Sequence, residues 1–217
     1  MITFYFLRHG QTMWNNNGKY QGSTDVPLNE TGERQAALAA QWFDDEAIDA
    51  IYTSPLQRAA KTAECLGKRK GLTPIVKPEF QEICFGEWEG LTYDEIEARW
   101  PGAIEVMYDH PEKLRIDGGE TFQQVQDRTM KGIGDLLAQG DNKTYVIVSH
   151  GAAIRTMLCG LLELPLHMAW HLCQSNANIS AIHYYGEGQS WLYMLNSQEH
   201  LKEIGKKQCL RKLPGQK

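Results

Sequence analysis

Two uncharged stretches of the sequence limit the possible folds more than any other feature. Residues 2–7 and residues 144–148 are rich in β-branched and aromatic side chains, and each is followed by one polar residue and then by a His-Gly pair. Strands without charges are typical of a sheet that is covered on both faces. The sequence therefore predicts two buried strands, each with a histidine at its carboxyl end.

Strands and helices alternate along most of the remaining chain. Residues 13–26 are rich in Asn, Gly and Gln and predict an ordered loop rather than a helix. The order of the elements predicts an α/β fold, a three-layer α/β/α sandwich with a mainly parallel sheet and an antiparallel edge strand. Caps, apolar spacing and Gly or Pro punctuation predict helices that begin at Asn29 or Thr31 and at Ser54-Pro55 and that cover 92–100, 121–139 and 152–162, with strands over 48–53, 75–76, 179–185 and 191–195.

The 217 residues are enough for one substantial core, and they contain no internal repeat or second domain boundary. A single domain over residues 1–200 is therefore predicted. Within it, the Pro- and Gly-punctuated stretch 91–119 is expected to form a short cap over one edge of the sheet. The basic tail over residues 201–217 is expected to be solvated.

Charge and cysteine content exclude several classes of protein. The net charge of -5 provides no overall attraction to nucleic acid or to acidic membranes. No apolar run approaches the length of a membrane span and no signal-peptide pattern is present, so a cytoplasmic location is expected. The cysteine number is odd and no Cys-x-x-Cys pair occurs, which predicts reduced thiols rather than a disulfide framework or a zinc ribbon.

Four polar side chains are expected at one rim of the sheet. In a β-α unit the helix begins at the carboxyl edge of its strand, so the first turns of several helices share that rim. Arg8 and His9 end the first strand, Arg58 lies in the first turn after the second, and His150 ends the strand over 144–148. His150-Gly151 also begins a helix, where backbone amides and the dipole favour an anion. Together these features predict a phosphate pocket.

Other interpretations of the same residues are weaker. Taken alone, Arg58 would be a surface helix arginine and His150 a structural histidine at a strand end. A metal site formed by His9, His150 and a carboxylate is disfavoured because the neighbouring arginines would repel the cation. Neither His9 nor His150 belongs to a His-x-His or His-x-x-x-His pair. We therefore expect no metal and no cofactor.

Several short motifs resemble those of a known family. In combination and in order they are similar to the phosphoglycerate mutase-like branch of the histidine phosphatase superfamily. The acid phosphatase branch fits poorly, because it has Arg and Pro where this chain has Gln11 and Thr12. The motifs are Leu7-Arg8-His9-Gly10-Gln11-Thr12-Met13-Trp14-Asn15, Gln21-Gly22, Asp25-Val26-Pro27-Leu28, Thr53-Ser54-Pro55-Leu56-Gln57-Arg58-Ala59, Glu82 with Phe85-Gly86-Glu87-Trp88-Glu89-Gly90, and Val148-Ser149-His150-Gly151.

The resemblance implies a phosphoglycerate mutase-like fold and a role for each matching residue. His9 would be the nucleophile that becomes phosphohistidine. Glu82 would protonate the leaving oxygen and would then act as base for the attacking water. The phosphate would be held by the charged or polar groups of Arg8, Arg58 and His150 and by the hydrogen-bonding groups of Asn15, Gln21, Gly22 and Gly151.

These roles are chemically reasonable. A neutral imidazole is a good nucleophile when its other nitrogen is held by an acceptor, which we expect to be a backbone carbonyl near Gly10. Glu82 must carry a proton in the first step. Glu87 and Glu89 are nearby carboxylates that could take its place. Their position in the Gly-x-Trp-Glu-Gly turn favours structural work instead.

The composition and length of the stretch 91–119 help to distinguish a phosphatase from a mutase. It holds three basic residues against seven acidic ones and is short compared with the mutase insertion. A mutase must bind a doubly phosphorylated intermediate, so these features favour a phosphomonoester hydrolase acting on a small phosphorylated metabolite. Arg115 is a candidate second-phosphate ligand, although a solvated loop arginine is the simpler interpretation. Specificity is expected to involve the cover and residues such as Tyr93, Met107, Tyr108 and Asn178.

Two alternatives to the hydrolase remain open. The first is a phosphoglycerate mutase. The second is a phosphate-binding regulatory module without turnover, which the intact pair of His9 and Glu82 disfavours. The chain is expected to be a monomer or a homodimer, because the terminal hairpin offers an edge to a second copy.

Overall fold

Six strands form one sheet in a computed structural model of the chain, which describes residues 1–204. The strands are β1 (Ile2–Arg8), β2 (Ala50–Thr53), β3 (Ile75–Val76), β4 (Lys143–Ser149), β5 (Ile179–Tyr184) and β6 (Ser190–Ser197). Their order across the sheet is β3-β2-β4-β1-β5-β6. Strands β1 to β4 run parallel to one another, whereas β5 pairs antiparallel with both β1 and β6. The predicted mainly parallel sheet with an antiparallel edge is confirmed.

Helices cover both faces of this sheet. They are α1 (Met13–Asn16), α2 (Glu30–Trp42), α3 (Gln57–Lys70), α4 (Tyr93–Arg99), α5 (Ala103–Asp109), α6 (Phe122–Leu137) and α7 (Gly151–Leu161). Successive residues of β1 point to opposite faces, as a strand requires. Phe4 and Phe6 pack with α6 and α7, whereas Tyr5 and Leu7 pack with α2 and α3. The two apolar clusters make the predicted three-layer sandwich.

The central pair of strands brings the two histidines together. Strands β1 and β4 are in parallel register, so that Arg8 lies opposite Ser149. The residue that follows each strand is a histidine, and the ring centroids of His9 and His150 are 5.1 Å apart. The rule that parallel strands end at a common rim therefore places these side chains side by side.

Two local predictions were wrong. The Asn-rich segment predicted as a loop contains α1, because Thr12 and Asn15 form a reciprocal capping box that closes one helical turn. Helix α3 begins at Gln57 rather than at Ser54-Pro55, with Leu56 as its N-cap. The hydroxyl of Ser54 accepts a hydrogen bond from the Leu56 amide and also contacts His150.

The stretch 91–119, which was predicted to be a cap, shares an apolar cluster with other parts of the chain. It contains α4, α5 and a short 3-10 turn, Pro111–Lys113. Ile96, Ile104 and Met107 of this cap are buried in one cluster with Ala152 and Ala153 from the first turn of α7. The cap thus packs directly beside the rim at which the histidines lie.

The predicted basic tail over residues 201–217 is described only as far as residue 204. Residues 201–204 belong to a 3-10 turn, Glu199–Ile204, in which Leu201 is buried. The rest of the predicted basic tail, with Cys209, lies outside the described residues. Cys65, Cys84, Cys159 and Cys173 are free thiols. Over residues 1–204, none of the helices combines the length and the apolar character that crossing a membrane demands.

Candidate active site

A cavity of about 240 Å³ opens at the carboxyl ends of β1 and β4. Its wall contains most of the residues that the sequence singled out. These are Arg8, His9, Asn15, Gln21, Gly22, Arg58, Glu82 and Gly151. The wall also contains residues that were not predicted, among them Lys19, Tyr20, Phe85, Arg155, Trp170 and Gln174.

His9 is held in one orientation at the base of the cavity. Its Nδ1 lies 2.6 Å from the carbonyl oxygen of Gly10, which is the kind of acceptor that the sequence predicted. A carbonyl only accepts hydrogen bonds, so Nδ1 carries the proton and Nε2 keeps its lone pair. Burial and the charges of Arg58 and Arg8 hold the pKa of His9 well below its usual value. The ring is therefore neutral at pH 7 and suited to nucleophilic attack.

Arg58 is the most buried cation in the described wall of the cavity. It is 1% exposed, and its Nη1 and Nη2 donate to the carbonyl oxygens of Thr24 and Gly22 at 2.8 and 2.7 Å. Burial lowers its pKa to about 10, so it remains charged at neutral pH. Arg8 is anchored in the same way by a 2.7 Å bond from Nη1 to the carbonyl of Gln174. Arg8 and Arg58 therefore present oriented guanidinium groups to the cavity.

The imidazole ring of His150 contacts the guanidinium group of Arg58. Its Nδ1 accepts from Nε of Arg58 at 3.3 Å, which leaves Nε2 to donate to the Ser54 hydroxyl at 2.7 Å. Burial, followed by the charge of Arg58, holds the pKa of His150 well below its usual value. Both ring nitrogens thus have protein partners, and in this arrangement His150 orients Arg58.

Asn15 and Gln21 are fixed by their side-chain oxygens. Oδ1 of Asn15 accepts from the Thr12 amide at 3.2 Å and from Nδ2 of Asn176 at 3.0 Å. Oε1 of Gln21 accepts from the Thr12 hydroxyl at 2.8 Å. The oxygens are therefore used within the protein, so the amino groups are the donors that these residues can offer to a ligand.

Glu82 occupies the helix N-terminus that was predicted to bind an anion. Its carboxylate accepts from the amides of Ala152 and Ala153 at 3.2 and 3.0 Å, and from the Ile83 amide at 3.1 Å. Two first-turn amides of α7 are thus engaged by the protein itself. Of the first three α7 residues, Gly151 is the one that remains as the predicted phosphate ligand.

Glu89 holds the loop that carries Gln21 and Gly22. Its carboxylate accepts hydrogen bonds from the amides and hydroxyls of Ser23 and Thr24, and from the Phe85 amide. Burial raises its pKa, but these bonds outweigh that effect and the pKa is lowered overall. This structural role agrees with the expectation for Glu89.

Arg155 is a cavity cation that the sequence analysis missed. It is 4% exposed, its Nη1 donates to the Gly151 carbonyl at 3.0 Å, and its guanidinium lies 4.4 Å from the centre of the Trp170 ring. Residues four apart on a helix share a face, so its position one turn after Gly151 was an available signal. Lys19 is the second cation that was missed.

Some candidates lie away from the cavity wall. Arg115 donates to the carbonyls of Glu112 and Leu114 in its own loop. Met107 is fully buried in the cap cluster, and Asn178 is buried and bonded to Gln174 at 2.8 Å. Tyr108 packs against Trp170, with ring centroids 5.0 Å apart, and so supports the wall from behind.

Over residues 1–204, no three His, Cys, Asp or Glu side chains group in a way that could hold a metal.

The cavity brings together a neutral buried histidine, anchored arginines and a carboxyl group, an arrangement that suits phosphoryl transfer. The family model of the histidine phosphatase superfamily (branch 1) matches residues 4–197. The chain therefore belongs to this superfamily, and it is an enzyme of the histidine phosphatase family. This confirms the resemblance seen in the sequence.

Several relatives carry assigned or probable activities. Phosphoserine phosphatase 1 of Hydrogenobacter thermophilus is 34% identical over 94% of this chain and 96% of its own. A probable phosphoglycerate mutase, GpmB of Yersinia pestis, is 32% identical over 88% of each chain. A mycobacterial glucosyl-3-phosphoglycerate phosphatase, solved with VO3, superposes with a TM-score of 0.85 at 30% identity and covers 90% of this chain and 99% of its own.

Proposed function

We propose that the protein is a phosphomonoester hydrolase that acts on a small phosphorylated metabolite through a phosphohistidine intermediate. The observation that carries this proposal is the orientation of His9. Its Nδ1 is bound to the Gly10 carbonyl, and its ring lies in a cavity with Arg8 and Arg58. A neutral, oriented imidazole beside fixed cations is suited to attack on a phosphoryl group.

The reaction has two steps. In the first, Nε2 of His9 forms a bond to phosphorus while the bond from phosphorus to the leaving oxygen breaks. Glu82 donates a proton to that oxygen. In the second, a water molecule attacks phosphorus, Glu82 takes its proton, and the bond between nitrogen and phosphorus breaks to release inorganic phosphate. Arg8 and Arg58 stabilise the charge on the phosphoryl oxygens in both steps.

The cavity also supports a substrate class. Arg155 and Lys19 are cations beyond the predicted phosphate ligands, and they share the wall with the aromatic rings of Tyr20, Phe85 and Trp170. We propose that the leaving group carries a second anionic group such as a carboxylate. Phosphoserine and phosphoglycerate, which appear in the names of the relatives, both have one.

The position of the cap favours a hydrolase over a mutase. Arg115, the candidate second-phosphate ligand, is engaged with carbonyls of its own loop. No basic residue of the stretch 91–119 belongs to the described wall of the cavity. We expect no detectable conversion of 3-phosphoglycerate to 2-phosphoglycerate with a bisphosphate primer. Robust turnover in that assay would favour the mutase.

The direct test compares the wild type with His9→Ala on p-nitrophenyl phosphate. Loss of the nucleophile is expected to lower kcat by about a thousandfold or more. The wild type, quenched during turnover with a labelled substrate, should carry an acid-labile phosphoryl group that His9→Ala lacks. Equal activities would refute the phosphohistidine mechanism, and a phosphate-binding module would show binding without turnover.

A further inference from the structure

Glu82 lies on a segment that has no regular structure of its own. Residues 81–85 are neither helix nor strand, and they connect two single 3-10 turns, Pro78–Phe80 and Gly86–Trp88. Such a segment does not satisfy its own backbone groups, so other parts of the chain must do so. The contacts that hold it therefore determine where the Glu82 carboxyl lies.

A single guanidinium binds two carbonyl groups of this segment and one carbonyl just before it. Nη1 of Arg128, on α6, donates to the carbonyls of Glu79 and Gln81 at 2.9 and 2.7 Å. Nη2 of the same residue donates to the carbonyl of Glu82 itself at 2.9 Å. Because the guanidinium is planar and rigid, it fixes these three oxygens relative to one another.

Glu120 completes the attachment from the other side. Its carboxylate accepts from Nε and Nη2 of Arg128 at 2.8 and 2.9 Å, a two-point pair. It also accepts from the Cys84 amide at 2.9 Å, and the Glu120 amide donates to the Cys84 carbonyl at 2.8 Å. The backbone is thus bound on both sides of Glu82, at residue 81 and at residue 84.

Neither member of the pair belongs to the described wall of the cavity. We propose that Arg128 and Glu120 are positioning residues that set the distance between the Glu82 carboxyl and the leaving-group oxygen. They hold the backbone of Glu82 from α6, while the amides of Ala152 and Ala153 hold its carboxylate from α7. This inference rests on the role proposed for Glu82 as the proton donor.

The consequence is a specific change in substrate preference. Proton donation matters most for a poor leaving group such as an alkoxide and least for p-nitrophenolate, which leaves without a proton. A displaced Glu82 should therefore slow alkyl phosphates much more than p-nitrophenyl phosphate. A general loss of folding or of phosphate binding would slow both substrates equally.

The experiment measures kcat/KM, which reports the first step, for a series of phosphomonoesters with leaving groups of increasing pKa. The variants are Arg128→Lys, Glu120→Gln, Glu82→Gln and the double variant Arg128→Lys/Glu82→Gln. Lysine keeps the charge but cannot bind three carbonyls in one plane. Arg34→Ala is the matched control, because Arg34 is exposed on α2.

Glu82→Gln is expected to reduce kcat/KM for alkyl phosphates by about a hundredfold or more, with a much smaller loss on p-nitrophenyl phosphate. Arg128→Lys should reduce it for alkyl phosphates by about tenfold or more and should leave the p-nitrophenyl value within about threefold. Glu120→Gln, which retains an acceptor oxygen, should show a smaller effect of the same kind. In the Glu82→Gln background, Arg128→Lys should change the ratio between substrates no further.

The outcomes separate the two proposals. If Glu82→Gln slows all substrates equally, the role proposed for Glu82 is wrong. If Glu82→Gln steepens the dependence on the leaving group and Arg128→Lys does not, the positioning role alone is refuted. If Arg128→Lys alters the ratio even without Glu82, Arg128 acts by another route and the inference also fails.

Discussion

The carbonyl oxygen of Gly22 accepts a 2.7 Å hydrogen bond from Nη2 of Arg58. Gly22 has a φ of +53°, in the left-handed region, and a β-carbon there would lie 2.1 Å from Oε1 of Glu89 and 2.9 Å from the Phe85 amide nitrogen. The backbone at Gly22 can therefore approach Glu89 and Arg58 this closely only because glycine has no side chain. Gly22 thus helps to position Arg58, for which we propose a role in binding phosphate.

Replacement of Gly22 by alanine should impair the enzyme through this contact. The added carbon must displace Glu89, the residue that holds the loop, and the carbonyl bound to Arg58 moves with it. We expect Gly22→Ala to reduce kcat/KM on p-nitrophenyl phosphate by about tenfold or more, since an oriented donor is typically worth 10²–10³ in kcat.

Gly71→Ala is the matched control for this prediction. Gly71, which follows α3 and lies outside the described wall of the cavity, has a φ of +67°, but nothing lies within 4 Å of its added β-carbon. Both variants therefore pay a similar cost for the left-handed backbone, about 1–2 kcal/mol, and only one meets a clash. Thermal unfolding and kinetics measured together should show stability lost in both and activity lost mainly in Gly22→Ala. Equal activity in the two variants would contradict this account.

The two buried histidines should make stability depend on pH. Their pKa values lie well below the usual value of 6.5 because of burial and the nearby arginines. As the pH falls below 6.5, the unfolded chain binds protons at His9 and His150 that the folded chain does not. With respect to these two histidines, the free energy of unfolding is therefore highest above pH 6.5. It falls as the pH is lowered further, by up to about 1.4 kcal/mol per pH unit for each histidine.

Urea unfolding between pH 8 and pH 5 measures this dependence. His9→Asn removes one titrating ring, so its free energy of unfolding should fall less steeply with acid than that of the wild type. The slopes are compared rather than the absolute stabilities, because the substitution also changes the packing. Identical slopes would show that His9 has the same pKa in the folded and unfolded states.

The rim of the sheet could be predicted from the sequence because it follows from chain direction alone. Buried strands that end in Arg8-His9 and Ser149-His150, together with a helix that carries Arg58, must meet at one edge if the strands are parallel. The register of β1 with β4 confirms this. Neither the family nor any contact was needed for that step.

Contacts between distant segments could not be predicted in the same way. The hydrogen bonds from the amides of Ala152 and Ala153 to the Glu82 carboxylate depend on how an irregular segment packs against α7. The hydrogen bond from Arg128 to the carbonyl of Glu82 joins residues that are 46 positions apart in the chain. The short helix α1 was missed for a different reason, because a capping box outweighed its Asn-rich composition.

Arg155 should determine the preference for anionic leaving groups. Arg155→Gln removes the charge but keeps a donor for the Gly151 carbonyl. A hydrogen bond between charged groups is typically worth about 1.5–3 kcal/mol, so the ratio of kcat/KM for 3-phosphoglycerate to that for glycerol 3-phosphate should fall by about tenfold or more. These two substrates differ mainly in the carboxylate, so their ratio isolates the contact with that group.

Two further variants make this prediction sharp. Lys19→Gln removes the other additional cation of the cavity wall and shows which of the two meets the carboxylate. Arg99→Gln removes an exposed arginine at the end of α4 and should leave the ratio unchanged. If Arg155→Gln slows both substrates by the same factor, Arg155 serves the phosphoryl group or the packing of Trp170, and the carboxylate must be sought elsewhere in the cavity.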